Sequence, residues 1–222
     1  MFSKLFDYIL PQFCVACELE GAVLCKKCLN TVDISGIFLC PDCDRPSPGG
    51  VVHVGCASSL DSLVAVASYA QPVVQHMVQL CKYQYIESVG NKMGEMCREV
   101  VRFVPDVSDG VIVIPVSLHK KRYASRGFNQ AALIAEHVAD MLGVVCDEDV
   151  LVRTKATKRQ VDMVGSDRIH NVSDAFSVIK KPPRKVILVD DVATSGSTLS
   201  ACARALKEAG CQSVSAVVFG RG

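Results

Sequence analysis

Three things are scarce in this 222-residue chain, and each scarcity removes a class of function. Net charge is one: 24 Lys and Arg against 23 Asp and Glu leave +1, so no global field recruits nucleic acid or an anionic membrane. Long apolar runs are another, since none approaches the ~20 residues a membrane-spanning helix needs. The third is a secretory layout. The opening MFSKLFDYILPQF mixes charge into a short apolar pattern and has no small-residue cleavage site. Its apolar positions 2, 5, 6, 9 and 10 predict a short amphipathic helix stopped by Pro11. A cytoplasmic location is the default expectation.

Apolar residues are plentiful, at 50%, so a substantial core is expected. The length suits one domain plus an appendage. Cysteine is also plentiful. Twelve are many for a compartment in which disulfides are rare, so metal binding comes first to mind. Seven of them fall within residues 14–56, in pairs two residues apart. Cys14 and Cys17 are followed by Cys25 and Cys28, and Cys40 and Cys43 by His53 and Cys56. A two-residue gap lets both members of a pair reach one tetrahedral ion, at about 2.3 Å for sulfur. Each half thus offers four N or S ligands, leaves no position open for water, and reads as structural zinc. The stretch has few large apolar residues, and so short a segment rarely folds without a staple. Structural zinc supplies on the order of 10–16 kcal/mol per site. Disulfides and free thiols are the competing readings. The pairs combine either sequentially or crossed, first with third and second with fourth. The remaining cysteines, including Cys81 and Cys97 on apolar helical faces, read as core or isolated structural thiols. A boundary is expected just after Cys56, dividing the chain into residues 1–58 and 59–222.

The second part is organised around residues 185–200, KVILVDDVATSGSTLS. Residues 186–189 are an unbroken β-rich apolar run, the mark of a strand buried on both faces of a parallel sheet. Asp190 and Asp191 follow and are expected to end the strand at its carboxyl edge, where open α/β sheets bind ligands. The small-residue bend Thr194, Ser195, Gly196, Ser197, Thr198 then opens an Ala/Leu-rich helix. Free amides and the helix dipole at such a place favour a phosphate. Carboxylates accept hydrogen bonds from sugar hydroxyls, so the combination suits a sugar phosphate. This reading requires carboxyls not consumed by internal salt links and amides not consumed by neighbouring chain. An ordinary strand-to-helix turn with an Asp cap is the bland alternative.

The same stretch resembles the phosphoribosyl-pyrophosphate (PRPP) motif of type I phosphoribosyltransferases: an apolar strand, two acids, then a loop such as T-T-G-x-T. The resemblance implies that Asp190 and Asp191 hold the ribose hydroxyls and that residues 194–198 cradle the 5′-phosphate. Elsewhere, residues 62–69 read as a strand, 72–81 and 88–104 as helices, and 111–116 as a buried strand ending in Pro115, Val116 and Ser117. A basic loop with Lys120, Lys121, Arg122 and Arg126 around Tyr123 and Phe128 comes next. Such a charge run is usually a solvated turn, but at the end of a core strand it is well placed to meet an anion. Asn129 can cap a helix over residues 130–142, whose apolar positions form one stripe. Residues 199–209 read as a helix stopped by Gly210, and 213–219 as the last strand.

The segment RGFNQ, the N-terminal cysteine pairs and the C-terminal motif together resemble the ComF family of competence-associated proteins, ComFC and GntX-like members included. The block Arg153-Thr154, Gln160, Arg168, Asn171, Phe176 fits the same pattern and corresponds to the mobile hood of the fold. His53 stands where the family usually has Cys. The fold class expected is α/β: a type I phosphoribosyltransferase-like, mostly parallel sheet flanked by helices and preceded by a small zinc-bound module. The resemblance implies an Mg²⁺-dependent pentosyltransferase reaction in which PRPP loses pyrophosphate. Pro115, Val116, Ser117 and Arg126 would bind that pyrophosphate, and Mg²⁺ would bridge it to the ribose hydroxyls. It also implies natural transformation, beside a helicase. No residue is an evident base for an acceptor, which the sequence leaves open. A rival reading is a binding protein for single-stranded DNA without transferase activity. Its contacts would come from residues 119–126, 155–159 and 180–185, with Tyr123 and Phe128 for stacking. Nucleobase salvage is the third, and has no need of a zinc module.

Overall fold

A computed structural model of the chain describes residues 12–108, 110–154 and 175–222. The helix expected over residues 2–10, the basic residues 155–159, and Gln160, Arg168 and Asn171 of the expected hood lie outside them.

The core is a six-stranded sheet in the order β1-β2-β8-β7-β3-β4. Its strands are β1 (Ile37–Phe38), β2 (Ser62–Ser68), β3 (Ile112–Pro115), β4 (Val145–Cys146), β7 (Lys185–Ala193) and β8 (Ser213–Arg221). All pair in parallel except β1, which joins β2 antiparallel at the edge. The central strands are almost wholly buried, as their continuous apolar runs require. β5 (Leu151–Arg153) and β6 (Phe176–Val178) form a separate two-stranded ribbon. The expected α/β architecture with a mostly parallel sheet is present.

Alternation along each strand builds two cores. Val64, Val113, Ile187, Val189 and Val217 face one side. There, beyond the short α1 (Lys26–Leu29) of the N-terminal segment, they meet α2 (Pro72–Gln79), α3 (Glu87–Met96) and α6 (Gln130–Leu142) through Met77, Met93 and Ile134. Leu63, Ile114, Val186, Leu188 and Ala216 face the other, against α7 (Ser197–Glu208) and the ribbon, through Leu199, Leu206, Leu151 and Phe176. Helices α3 and α6 cross so closely that a Cβ on Gly90 would lie 2.6 Å from Leu133, and one on Gly94 2.5 Å from His137.

Several boundaries differ from those read in the sequence. The helix expected over residues 88–104 breaks at Cys97 into α3 and a short α4 (Arg98–Val101), the Cys97 amide being shared between the carbonyls of Met93 and Gly94. The basic loop contains a helix, α5 (Lys120–Arg126), capped by the His119 side chain and closed by Gly127 at φ 83°. β7 does not stop at the acid pair. It continues to Ala193, because β8 runs on beside it to the register pair Ala193 and Arg221.

Candidate functional site

The acid pair sits within the last turn of a strand, so its two side chains leave opposite faces of the sheet. Asp191 follows Ile187 and Val189 onto the α2–α3–α6 side. Asp190 follows Val186 and Leu188 onto the α7 and ribbon side. Both line one cavity of about 500 Å³ at the carboxyl ends of β3 and β7. Val116, Ser117, Arg126 and the whole bend Thr194, Ser195, Gly196, Ser197, Thr198 line it too. Of the residues that the resemblance assigned to the sugar phosphate, Pro115 stands back, as the last residue of β3, and Lys120, Lys121, Tyr123 and Phe128 of the basic segment do not line the cavity either.

The bend is built for an acceptor. Gly196 is the N-cap of the twelve-residue α7 at φ 69°, a left-handed conformation that glycine adopts freely, and no side chain caps the helix. Among the described residues, no backbone carbonyl takes the amides of Ser195, Gly196 or Thr198, and the Ser197 amide reaches only the Ser195 hydroxyl at 3.5 Å. These donors face a helix dipole of the same sense.

The carboxyls are less free than the sequence reading asked. Asp191, only 6% exposed, pairs with Lys82 Nζ at 2.8 Å. Burial pulls Lys82 down, but the Asp191 charge, the hydrogen bond to Asp191 and the Asp190 charge together outweigh it, so its net shift is upward. Asp190 has no ion pair at contact distance among the described residues, and its Oδ1 accepts the Asp191 amide at 2.8 Å. It is pushed up to about 7, first by burial and then by the neighbouring Asp191 charge, against the pull of Lys82, the Asp191 amide and Arg153. Half of the stated requirement holds, therefore: the amides are available, and one carboxylate already has an internal partner.

Lys82 escaped the sequence reading, which saw only a helix end. After α2 the chain widens into a π-helical turn, Leu80–Gln84, and then turns through Tyr85 at φ 60°. A π turn followed by a left-handed tyrosine is a strained arrangement of the kind that clusters at functional sites. It brings Lys82, Tyr83 and Tyr85 to the cavity, the tyrosines 62% and 45% exposed. The segment Asn129-Gln130 locks this wall in place. Asn129 caps α6 by accepting the Ala131 amide at 3.2 Å and donates to the Val116 carbonyl at 3.1 Å. Buried Gln130 donates to the Cys81 carbonyl at 3.4 Å. The Ser117 hydroxyl donates to the Leu151 carbonyl, tying the end of β3 to the ribbon. From the ribbon, Arg153 lines the cavity with its guanidinium stacked 5.2 Å from the Phe176 ring.

The N-terminal ligands gather into two groups, Cys14, Cys17, Cys25, Cys28 and Cys40, Cys43, His53, Cys56, with the ligand atoms of each within 4.8 Å of one another. The pairing is sequential, not crossed. A tetrahedron with ~2.3 Å arms has edges of about 3.8 Å. Cys17 Sγ and Cys25 Sγ lie 3.7 Å apart, and Cys43 Sγ and His53 Nδ1 3.3 Å. The other imidazole nitrogen, Nε2, lies 3.2 Å from the Pro46 carbonyl, the outer contact that orients a metal-binding histidine. Amides of Cys25 and His53 point at the sulfurs of Cys14 and Cys40, each at 3.4 Å. Cys28 is pushed up to about 12 by hydrogen bonding with Cys17 and Cys25, and Cys56 to about 12 by burial and by Cys43 and Cys40. A divalent cation is what lets so crowded a set ionise together. The two groups could hold metal ions, and their donors suit zinc.

Residues 129–221 match the family described as phosphoribosyl transferase domain. The chain carries a domain of that class, behind a module of two cysteine-rich groups that could hold metal. It is 28% identical to the DNA utilization protein YhgH of Escherichia coli O157:H7 over 220 residues, 92% of this chain and 95% of that one. It is 26% identical to competence protein F of Haemophilus influenzae over 214 residues, 86% and 93% of the two chains. The competence protein ComFC of Streptococcus pneumoniae is 30% identical over 104 residues, 46% of this chain and 44% of that one. The ComF-family resemblance read from the sequence is thus matched by relatives named as DNA utilization and competence proteins over most of the chain. No helix among the described residues is long and apolar enough to cross a membrane.

Proposed function

We propose that the cavity binds PRPP or a related sugar phosphate. The observation that carries this is the row of uncommitted amides at Ser195, Gly196 and Thr198, four to seven residues beyond Asp191 in an acid pair that lines the same space. The bend would take the 5′-phosphate and Asp190 and Asp191 the ribose hydroxyls. Arg126 with the Val116–Ser117 turn would take the pyrophosphate, and Lys82 adds a cation on the same wall. The carboxylate and hydroxyl oxygens are hard donors of the kind Mg²⁺ takes; the ion would neutralise the pyrophosphate. The relatives named as competence and DNA utilization proteins support a ComF-like role in DNA uptake.

Calorimetry with PRPP and Mg²⁺ tests the site. The wild type should give binding heat, and Asp190→Asn should weaken it at least ~10-fold, since a hydrogen bond to a charged group contributes about 1.5–3 kcal/mol. No heat with the wild type would remove the reading. The pH dependence is a second check. Because the native state raises Asp190 from 3.8 to about 7, it favours the proton; the group's contribution to stability is full below 3.8 and lost as pH rises through about 7. Binding runs the other way, because only the carboxylate accepts both hydroxyls. Affinity for PRPP should therefore rise as pH climbs through about 7, and Asp190→Asn should flatten that rise.

A second reading, single-stranded DNA handling, is favoured by one further observation. Lys120, Lys121, Arg122 and Arg126 lie on the unburied helix α5 with Tyr123 51% exposed, next to the exposed Tyr83 and Tyr85. Phosphate contacts beside stacking rings suit a single strand. Oligonucleotide binding should be measurable at low salt and fall steeply as salt rises; no binding at low salt removes this reading.

A further inference from the structure

We propose that Arg221 and Asp44 are positioning residues that tie the second cysteine-rich group to the bend at residues 193–198, so that a metal held there keeps the bend in its binding shape. What the bend binds rests on the sugar-phosphate reading; the brace itself does not.

Arg221 is the last residue of β8 and is 8% exposed. Its guanidinium spans two parts of the molecule. Nη1 donates to the carbonyl of Ala193, at 3.2 Å, and to that of Thr194, the residues at which β7 becomes the bend. Nη2 forms an ion pair with Asp44 Oδ1. A buried guanidinium needs a counter-charge, and Asp44 is the only carboxylate paired with it among the described residues. Asp44 is no ordinary surface acid. It immediately follows the ligand Cys43, sits at φ 54°, and donates its amide to the Cys40 carbonyl at 3.1 Å. Its left-handed backbone exists because the chain closes around the Cys40–Cys43 pair. With a metal at that pair the turn is fixed, and the carboxylate is fixed against Arg221. Without one, the acid that neutralises Arg221 hangs on an open turn. The first group offers no such route. Its corresponding residue, Glu18 at φ 59°, makes no recorded ion pair among the described residues.

Hydrogen exchange on the full chain reads the brace directly, from peptides covering residues 66–70 and 217–222, in which the Tyr69 and Gly222 amides donate to the Arg221 and Ala193 carbonyls at 2.7 and 3.0 Å, with metal content measured alongside. Asp44→Ala should retain both metals yet speed exchange of the Tyr69 and Gly222 amides about tenfold, the loss expected for one charge-assisted hydrogen bond. Asp44→Glu should restore much of the protection. Cys56→Ser should lose one metal and loosen the bend as Asp44→Ala does, while Cys28→Ser loses one metal and leaves the bend unchanged. Unchanged exchange in Asp44→Ala overturns the proposal, as does equal loosening by Cys28→Ser and Cys56→Ser. Should Cys56→Ser not fold, Asp44→Asn with both metals bound decides alone. PRPP calorimetry on the same samples separates the two claims. A loosened bend in a protein whose wild type takes no PRPP leaves the brace standing and removes the sugar-phosphate reading. PRPP bound equally by wild type and by an unloosened Asp44→Ala does the reverse.

Discussion

The two cysteine-rich groups use one local design in two settings. In each, a Cys-x2-Cys pair is followed by an acidic residue in the left-handed region: Glu18 at φ 59° and Asp44 at φ 54°. In each, that residue donates its amide to the first cysteine's carbonyl, and the first cysteine, Cys14 or Cys40, is almost wholly buried. Short bridges, Phe13 to Glu20 and Leu39 to Pro46, close both turns. What differs is the attachment. The first group rests on the α2–α3 side through Leu24 and Val32, and through a reciprocal pair in which the Asp33 amide donates to Gln71 Oε1 and Gln71 Nε2 to the Asp33 carbonyl. The second is woven into the sheet. β1 extends β2, Val51 bridges Ser62, and Gly50 lies against the backbone of Leu63. A metal-closed turn is a portable unit, and the groups it presents outward decide whether it is a foot or a brace.

Ligand removal tests that contrast hardest. A structural zinc site contributes on the order of 10 kcal/mol, comparable to the whole stability of an ordinary domain. Cys40→Ser should therefore lose one of two metals, expose residues 36–58 to protease and loosen the sheet edge. Cys14→Ser should lose one metal and expose residues 12–34 while the sheet stays protected. Identical protease patterns would erase the distinction. The next effect compares two glycines. Gly50 has φ 65°, and a Cβ there would meet the Leu63 carbonyl oxygen at 2.0 Å; Gly21 has φ 115° with nothing within 4 Å. Gly50→Ala should cost about 3 kcal/mol in urea unfolding and Gly21→Ala about 1 kcal/mol, from backbone strain alone. Equal costs would mean that the second group is not pressed against β2. Gln71→Ala, which removes both hydrogen bonds to residue 33, should cost about 1–2 kcal/mol and leave exchange of the Gly222 amide unchanged.

How much of this was legible in the sequence depends on how local each cause is. The cysteine spacing, the run from β7 through the bend into α7, and the Asn129 cap are set by neighbours in the chain, and each appears close to where it was read. The Lys82–Asp191 pair is not local. It needs a π turn that no residue pattern announces, and it joins segments far apart in sequence. Helix α5 was invisible to periodicity because none of its residues is buried, so it has no apolar stripe. The end of β7 was placed two residues early because its continuation depends on a partner, Arg221, at the far end of the chain. Cys-x2-Cys spacing cannot say which pair joins which. Contacts such as the Val15 amide to the Val23 carbonyl and the His53 amide to Cys40 Sγ fold each second pair back on the first and make the pairing sequential.

The smallest expected effect bears on the one ligand that differs. His53→Cys would give the second group the same four-sulfur donor set as the first. It keeps four ligands, adds a thiolate and removes the Nε2 contact to the Pro46 carbonyl, 3.2 Å in the native chain. Losing one neutral hydrogen bond costs about 1 kcal/mol, so fold stability should change little. Metal retention should rise, since zinc favours thiolate and the second group would then match the first in competition with a chelator. His53→Ala should instead shed its metal before the first group does. If His53→Cys released metal faster than the native chain, the imidazole's hold on Pro46 would be doing more than filling a fourth position. It would be fixing the loop at residues 46–53 against β2, and the difference between the two groups would begin at their ligands and not at their attachments.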